Sequence, residues 1–203
     1  MGGNVKGYQV TIQGTADLLQ NAFGMGPTPG EEGGTKATVA EDWSQEWRAK
    51  LYVMDGGVIY QPEVHLVGAL VRSAVTVKIP GRRGKTYKDA VNGGLFIEPA
   101  YIPHHATIAD FENAPVMTGP APDGFEGAVY IDRRPVRVQR ARVMRLRPAL
   151  CKGWELTFRI QLLDDDFRTD ALKTILDTAG REVGIGDYRP RFGRFIVTRF
   201  EAI

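Results

Sequence analysis

Trp154-Glu155-Leu156-Thr157-Phe158-Arg159-Ile160-Gln161-Leu162 alternates apolar and polar residues without a slip, which makes it a strand with one buried face. Residues 167–179 are helical, because Ala171, Leu172, Ile175, Leu176 and Ala179 keep spacings of three and four. Asp164-Asp165-Asp166, just ahead of that helix, suits N-capping better than magnesium binding, since carboxylates there meet unpaired N–H groups and the positive dipole end. Gly180 is expected to stop the helix. A glycine-containing loop then returns the chain to an alternating run, Phe192 to Phe200. Strand, helix, loop and strand form one half of an α+β domain.

The other half lies early in the chain. Tyr8, Val10 and Ile12 share one face of a strand. From Pro62 to Val75 the spacing of Leu66, Ala69, Leu70 and Ser73 predicts a short buried helix, with Pro62 and Glu63 suited to its first turn. Gly68 inside it costs about 1 kcal/mol against Ala and suggests a close backbone approach. Two such halves give an α+β, modified ferredoxin-like (RRM-like) fold, an antiparallel sheet with helices on one face. In RNA-binding modules of this class the open face or its edge loops hold single strands.

The intervening stretches are less regular. Residues 24–40 are rich in glycine and proline and predict a mobile loop. Trp47, Ala49, Leu51 and Val53 alternate, so a strand is expected within residues 43–54, before the turn Asp55-Gly56-Gly57. Residues 78–123 predict a turn-rich, thumb-like insertion rather than a second core, and the whole chain, 1–203, a single domain. Ile79, Tyr87, Phe96, Tyr101 and Ile102 of that insertion would be costly to leave in water and call for a partner copy. Strands are expected at 127–132 and 136–146, with a bulge or break near Gln139 to Ala141 that re-aims the arginines.

The 203 residues are 43% hydrophobic and 25% charged, ordinary for a globular protein and incompatible with disorder throughout. No window reaches the roughly 18 apolar residues of a membrane span, and the start lacks a signal core, so a cytoplasmic protein is expected. Cys151 is the only cysteine, which excludes an internal disulfide and a cysteine-based zinc site. The net charge of +2 conceals an asymmetry: residues 1–131 hold 10 Lys+Arg against 14 Asp+Glu, residues 132–203 hold 16 against 10. A polyanion belongs on the C-terminal third.

Residues 179–195 concentrate glycine, arginine and aromatic side chains between a helix end and a strand. Gly184 and Gly186 permit positive φ, so consecutive N–H groups would point at a phosphate while Arg189, Arg191 and Arg194 supply charge. This is no dinucleotide fingerprint, because that motif comes after a strand and opens a helix. His65, His104 and His105 carry no motif partners, and adjacent His104 and His105 would point to opposite faces of a strand. No catalytic residue, metal or cofactor is assigned.

Tyr60-Gln61-Pro62, Leu66-Val67-Gly68-Ala69-Leu70-Val71-Arg72 and the late loop ending Phe192-Gly193-Arg194-Phe195 resemble, in order and distance, the RAMP superfamily of CRISPR-associated proteins. The chain is most similar to the single-domain backbone subunits of class 1 effector complexes, although Glu63 and His65 replace small hydroxyl residues and Val71 is an extra residue before Arg72. The resemblance implies a non-enzymatic subunit that polymerises head to tail along single-stranded guide RNA, beside other effector subunits. Arg72, Arg137, Arg140, Arg142, Arg189, Arg191 and Arg194 are expected to contact phosphate, with Arg82, Arg83 and Lys85 of the insertion. Two other classes remain open: a metal-dependent endoribonuclease of the same superfamily, using Asp17, Glu31 or Glu32, and a phage-type single-stranded DNA-binding protein.

Overall fold

A computed structural model of the chain describes residues 5–22, 46–138, 141–163 and 167–203, without the side chains of Val138 and Ala141. The elements run β1 (Lys6–Gly14), β2 (Leu18–Leu19), β3 (Val58–Pro62), α1 (Glu63–Ala74), α2 (Lys88–Gly94), β4 (Leu95–Glu98), β5 (Tyr101–Thr107) and α3 (Ile108–Glu112). They continue with β6 (Val116–Met117), β7 (Val129–Val138), β8 (Ala141–Leu150), β9 (Glu155–Leu162), α4 (Thr169–Thr178) and β10 (Phe195–Ala202). None of the described helices is long and apolar enough to cross a membrane.

The result is an α+β architecture dominated by antiparallel pairing. The main sheet has the order β10-β1-β9-β4, every neighbour antiparallel. Period-two burial sends Tyr8, Val10 and Ile12 of β1, Leu156, Phe158 and Ile160 of β9, and Leu95 and Ile97 of β4 into one core with Leu66, Leu70, Leu172, Ile175 and Leu176 of α1 and α4. The opposite face is a polar lattice: Thr11 meets Thr157 at 2.9 Å, Gln13 donates to Glu155 at 3.2 Å, and Gln161 donates to Glu98 at 2.9 Å. Phe96 is its exposed aromatic, so it offers little for base stacking.

A second sheet, β2-β8-β7-β6, is built on a long hairpin. Only its base is flanked: β2 pairs with Ala149 and Leu150, and β6 lies parallel to Ile131 and Asp132. Among the described residues, Arg133 to Val138 and Ala141 to Arg145 have no further strand beside them, and beyond the packed pair Arg134 and Arg145 the hairpin projects by about 13 Å. β3 and β5 form a separate pair.

Several expectations need correction. Trp47 to Val53 is a turn and a 3-10 turn at Arg48–Lys50, because Trp47 and Leu51, four residues apart, are the deeply buried pair. Residues 78–123 are not an extended thumb: β4 completes the main sheet, β5 pairs with β3, and Tyr87 and Ile102 are buried. Phe96 and Tyr101 alone of the five apolar residues named for that stretch stay exposed. Of the two alternatives near Gln139 to Ala141, a bulge or a break, the structure has a break between strands, so Arg137 belongs to β7 and Arg142, Arg145 and Arg147 to β8. Gly180 does not end its helix; a π turn, Ala179–Val183, continues it until Gly184 at φ 71°. Among the described residues outside its own helical turn, no atom lies within 4 Å of where a Gly68 Cβ would stand, so none of their backbone approaches there. The loop 24–40, Trp43, the Asp164-Asp165-Asp166 cap, Glu31, Glu32 and Arg140 fall outside the described residues.

Candidate nucleic-acid interface

The ladder of the hairpin fixes where each arginine points. Residues directly opposite in an antiparallel pair share a face, so Arg137 and Arg142 stand together near the tip, exposed, above Pro135 and Met144. Arg134 and Arg145 are opposed on the other face, nearer the base. Like charges directly across a ladder are destabilising. At the base the conflict is resolved by carboxylates: Arg134 Nη2 donates to Asp132 at 2.6 Å, and Arg145 donates to Glu46 at 3.1 Å. Glu46 also accepts from the Leu146 N–H at 3.1 Å. Both arginines of the tip pair are exposed.

The glycine loop packs against this hairpin base. The Arg134 guanidinium lies 4.7 Å from the Tyr188 ring and 4.5 Å from the Phe192 ring, and Arg147 lies 5.0 Å from Tyr188. Arg147 Nε is 2.6 Å from Asp187 Oδ2, an ion pair out of line for a hydrogen bond. Tyr188 itself is held at φ 56°, a left-handed conformation that costs a β-carbon residue about 1–2 kcal/mol. Asp17 closes the base: its carboxylate accepts from the Tyr130 hydroxyl at 2.9 Å, the Ala121 N–H at 2.9 Å and the Lys152 N–H at 2.7 Å. Burial, then the Asp17 charge and hydrogen bond, push the Tyr130 phenol far up. Burial and Asp17 push the Cys151 thiol up to about 12 as well, which leaves it unreactive. Three donors thus commit Asp17 to holding loops together.

The glycines of the loop serve its packing. Gly184 and Gly186 have φ 71° and 76°, and a Cβ at Gly186 would meet the Leu19 carbonyl at 2.5 Å. Four of the loop's N–H groups are spent inside the protein: Gly184 on Ala179 O, Ile185 on Gly193 O, Asp187 on Leu19 O and Gly193 on Asp17 O. The Gly184 N–H is therefore committed to the helix end and not to a phosphate. Arg189, Arg191 and Arg194 remain on the surface.

Helix α1 continues the surface. His65, Gly68 and Arg72 fall on one stripe at spacings of three and four, and Gly68 and Arg72 are exposed. Burial lowers the His65 pKa, and the Arg189 charge lowers it further, so the loop and this stripe adjoin. The Gln61 side chain bonds His65 Nδ1. Arg82, Arg83 and Lys85 sit beyond the other end of α1, exposed in a turn closed by the Ile79 N–H to Lys85 O bond. His104 is buried and His105 exposed, on opposite faces of β5. Among the described residues no cluster of three His, Cys, Asp or Glu could hold a metal ion.

Arg134, Arg147, Asp132, Asp187 and Tyr188 were not marked by the sequence as a unit. A signal was present, because Asp132 and Arg134 flank the hairpin base at a spacing of two that puts both on one face. Their partners in residues 187–192 are too distant in sequence to read.

No family model and no curated protein matches the chain. Among solved structures it is similar to a chain of the type III-B Cmr-beta complex, determined by cryo-EM bound to cognate target RNA, at 10% identity and a TM-score of 0.54. That match covers 98% of this chain and 61% of the other, so the chain spans about three-fifths of the protein it resembles. A chain of a type IV-B CRISPR complex aligns at 12% identity and a TM-score of 0.42, over 97% of this chain and 90% of that one. The structural neighbours thus belong to CRISPR effector complexes, and the likeness to the first is one of fold.

Proposed function

We propose that the chain is a single-stranded RNA-binding backbone subunit of a CRISPR-type effector complex, of RAMP type, which polymerises head to tail along a guide RNA. The main sheet supports a ferredoxin-like reading, since β10-β1-β9-β4 with α1 after the first strand and α4 after the third is the order of that fold. The observation that carries the proposal is the projecting hairpin β7–β8, with Arg137 and Arg142 opposed near its tip and its base clamped on the glycine loop. An element of that length and charge, fixed at its root, suits reaching across a phosphate backbone to a neighbouring copy. It takes the role that the sequence suggested for residues 78–123. Arg189, Arg191, Arg194 and Arg72, beside the bare backbone at Gly68, would continue the phosphate track toward Arg82, Arg83 and Lys85. Contacts of this kind are insensitive to base identity and sensitive to salt.

Light scattering on RNA oligomers of increasing length tests this. Particle mass should rise in steps of one subunit, and removing the hairpin tip should abolish the steps. A fixed one-to-one complex on every length refutes the filament.

A further inference from the structure

Four rings form a row beside the glycine loop that reaches the surface fully at Tyr101, and of these only His65 belongs to the arginine-lined track. Tyr101 lies 4.8 Å from Tyr60, Tyr60 lies 5.6 Å from Tyr52, and Tyr52 meets the His65 ring edge-on at 5.4 Å. The row ends at Arg189, whose charge acts on His65. Tyr60 is 5% exposed and supports Tyr101 from beneath, whereas Tyr101 is 59% exposed. The other exposed positions of β5 are Pro103 and His105, on the same face as Tyr101.

We propose that Tyr101 is a stacking platform for one base of a single-stranded RNA, with the neighbouring backbone held toward Arg189. The inference rests on the RNA-binding reading and adds to it a base contact that a phosphate track lacks. An exposed tyrosine braced by a second ring offers the flat π face that a base stacks on, and Arg189, at the far end of the row beside His65, would meet the backbone further along the same strand. Every base has a π face, so the contact adds affinity without sequence preference.

The test uses the full chain, a short uridine oligomer and an oligomer of equal length made of abasic sugars. Tyr101→Ala should weaken binding of the uridine oligomer about tenfold, and Tyr101→Leu, which keeps apolar cover over Tyr60, should do the same. Tyr101→Trp should restore affinity. The dependence of log K on log salt should be unchanged in all three, and the abasic oligomer should bind wild type and Tyr101→Ala equally. Wild-type affinity in Tyr101→Ala, or an equal loss on the abasic oligomer, overturns the stacking platform while leaving the phosphate track standing. No binding of either oligomer by the wild-type chain overturns both.

Discussion

Replacing Arg142 by Thr should affect stability and binding in opposite directions. Arg142 faces Arg137 across the β7–β8 ladder, a like-charge pair that costs the free protein roughly 0.2–1 kcal/mol. Thr suits a strand and removes the repulsion, so the urea midpoint of Arg142→Thr should rise slightly. Binding should fall, because each phosphate contact on a single strand contributes about 0.7 to the slope of log K against log salt. With Arg137→Thr added, the slope should drop by about 1.4, which is roughly a 25-fold loss of affinity near 0.1 M salt that vanishes toward 1 M. Fluorescence anisotropy with a labelled oligomer across a salt series measures this directly. An unchanged slope in the folded double variant refutes the phosphate role of the tip. A loss of equal size at every salt concentration assigns the effect to something other than charge.

Two further outcomes concern buried and bare positions. Burial, chiefly, and His105 hold the His104 pKa down to about 3, and both its ring nitrogens lack a hydrogen-bond partner beside Trp154. A His depressed in the folded state contributes stability that is intact above its unfolded pKa of about 6.5 and is lost as pH falls toward 3, by about 2 kcal/mol at pH 5. His104→Phe should flatten that part of the urea-midpoint profile and be at least as stable at pH 7; an unchanged acid slope contradicts the assignment. Gly68→Ala should stabilise α1 by up to about 1 kcal/mol, since nothing lies where its methyl group would go. The same change should weaken RNA binding severalfold if the backbone at Gly68 lies under the phosphate track; unchanged affinity removes that stripe from the interface.

The parts of this fold that are legible in the sequence are those in which one face is buried over a whole element. β9 and α1 declare themselves because Leu156, Phe158 and Ile160, or Leu66, Ala69 and Leu70, repeat at the period of their geometry, whereas β10 buries only Phe195 fully and begins three residues after the expected Phe192. β4 and β5 were hidden by Pro99 and Pro103. Proline is admissible there because Pro99 lies between the strands and β5 has β3 as its only sheet neighbour, which leaves an edge that needs no donor. Trp47 to Val53 misled because a short irregular turn can mimic alternation. For the site, Arg137, Arg142, Arg189, Arg191 and Arg194 were visible as charge, but which of them oppose one another depends on the register between β7 and β8, which charge does not reveal. The clamp of Arg134 and Arg147 on Tyr188 joins segments about 50 residues apart, a distance at which side-chain periodicity carries no information.

The position of β1 inside the main sheet has a consequence during synthesis. Its two partners are β9 and β10, so Tyr8 is paired with Ile160 on one side and with Ala202 on the other. Translation at about 5–20 residues per second leaves this strand waiting roughly 10–40 s for its second partner. Through that interval both its edges and the row Tyr8, Val10 and Ile12 lie open, while the hairpin β7–β8, whose contacts are local, can form well before the sheet that carries it. The arginine arm is therefore available to a polyanion earlier than the rest of the domain, and nascent chains that meet RNA would be expected to do so through it first.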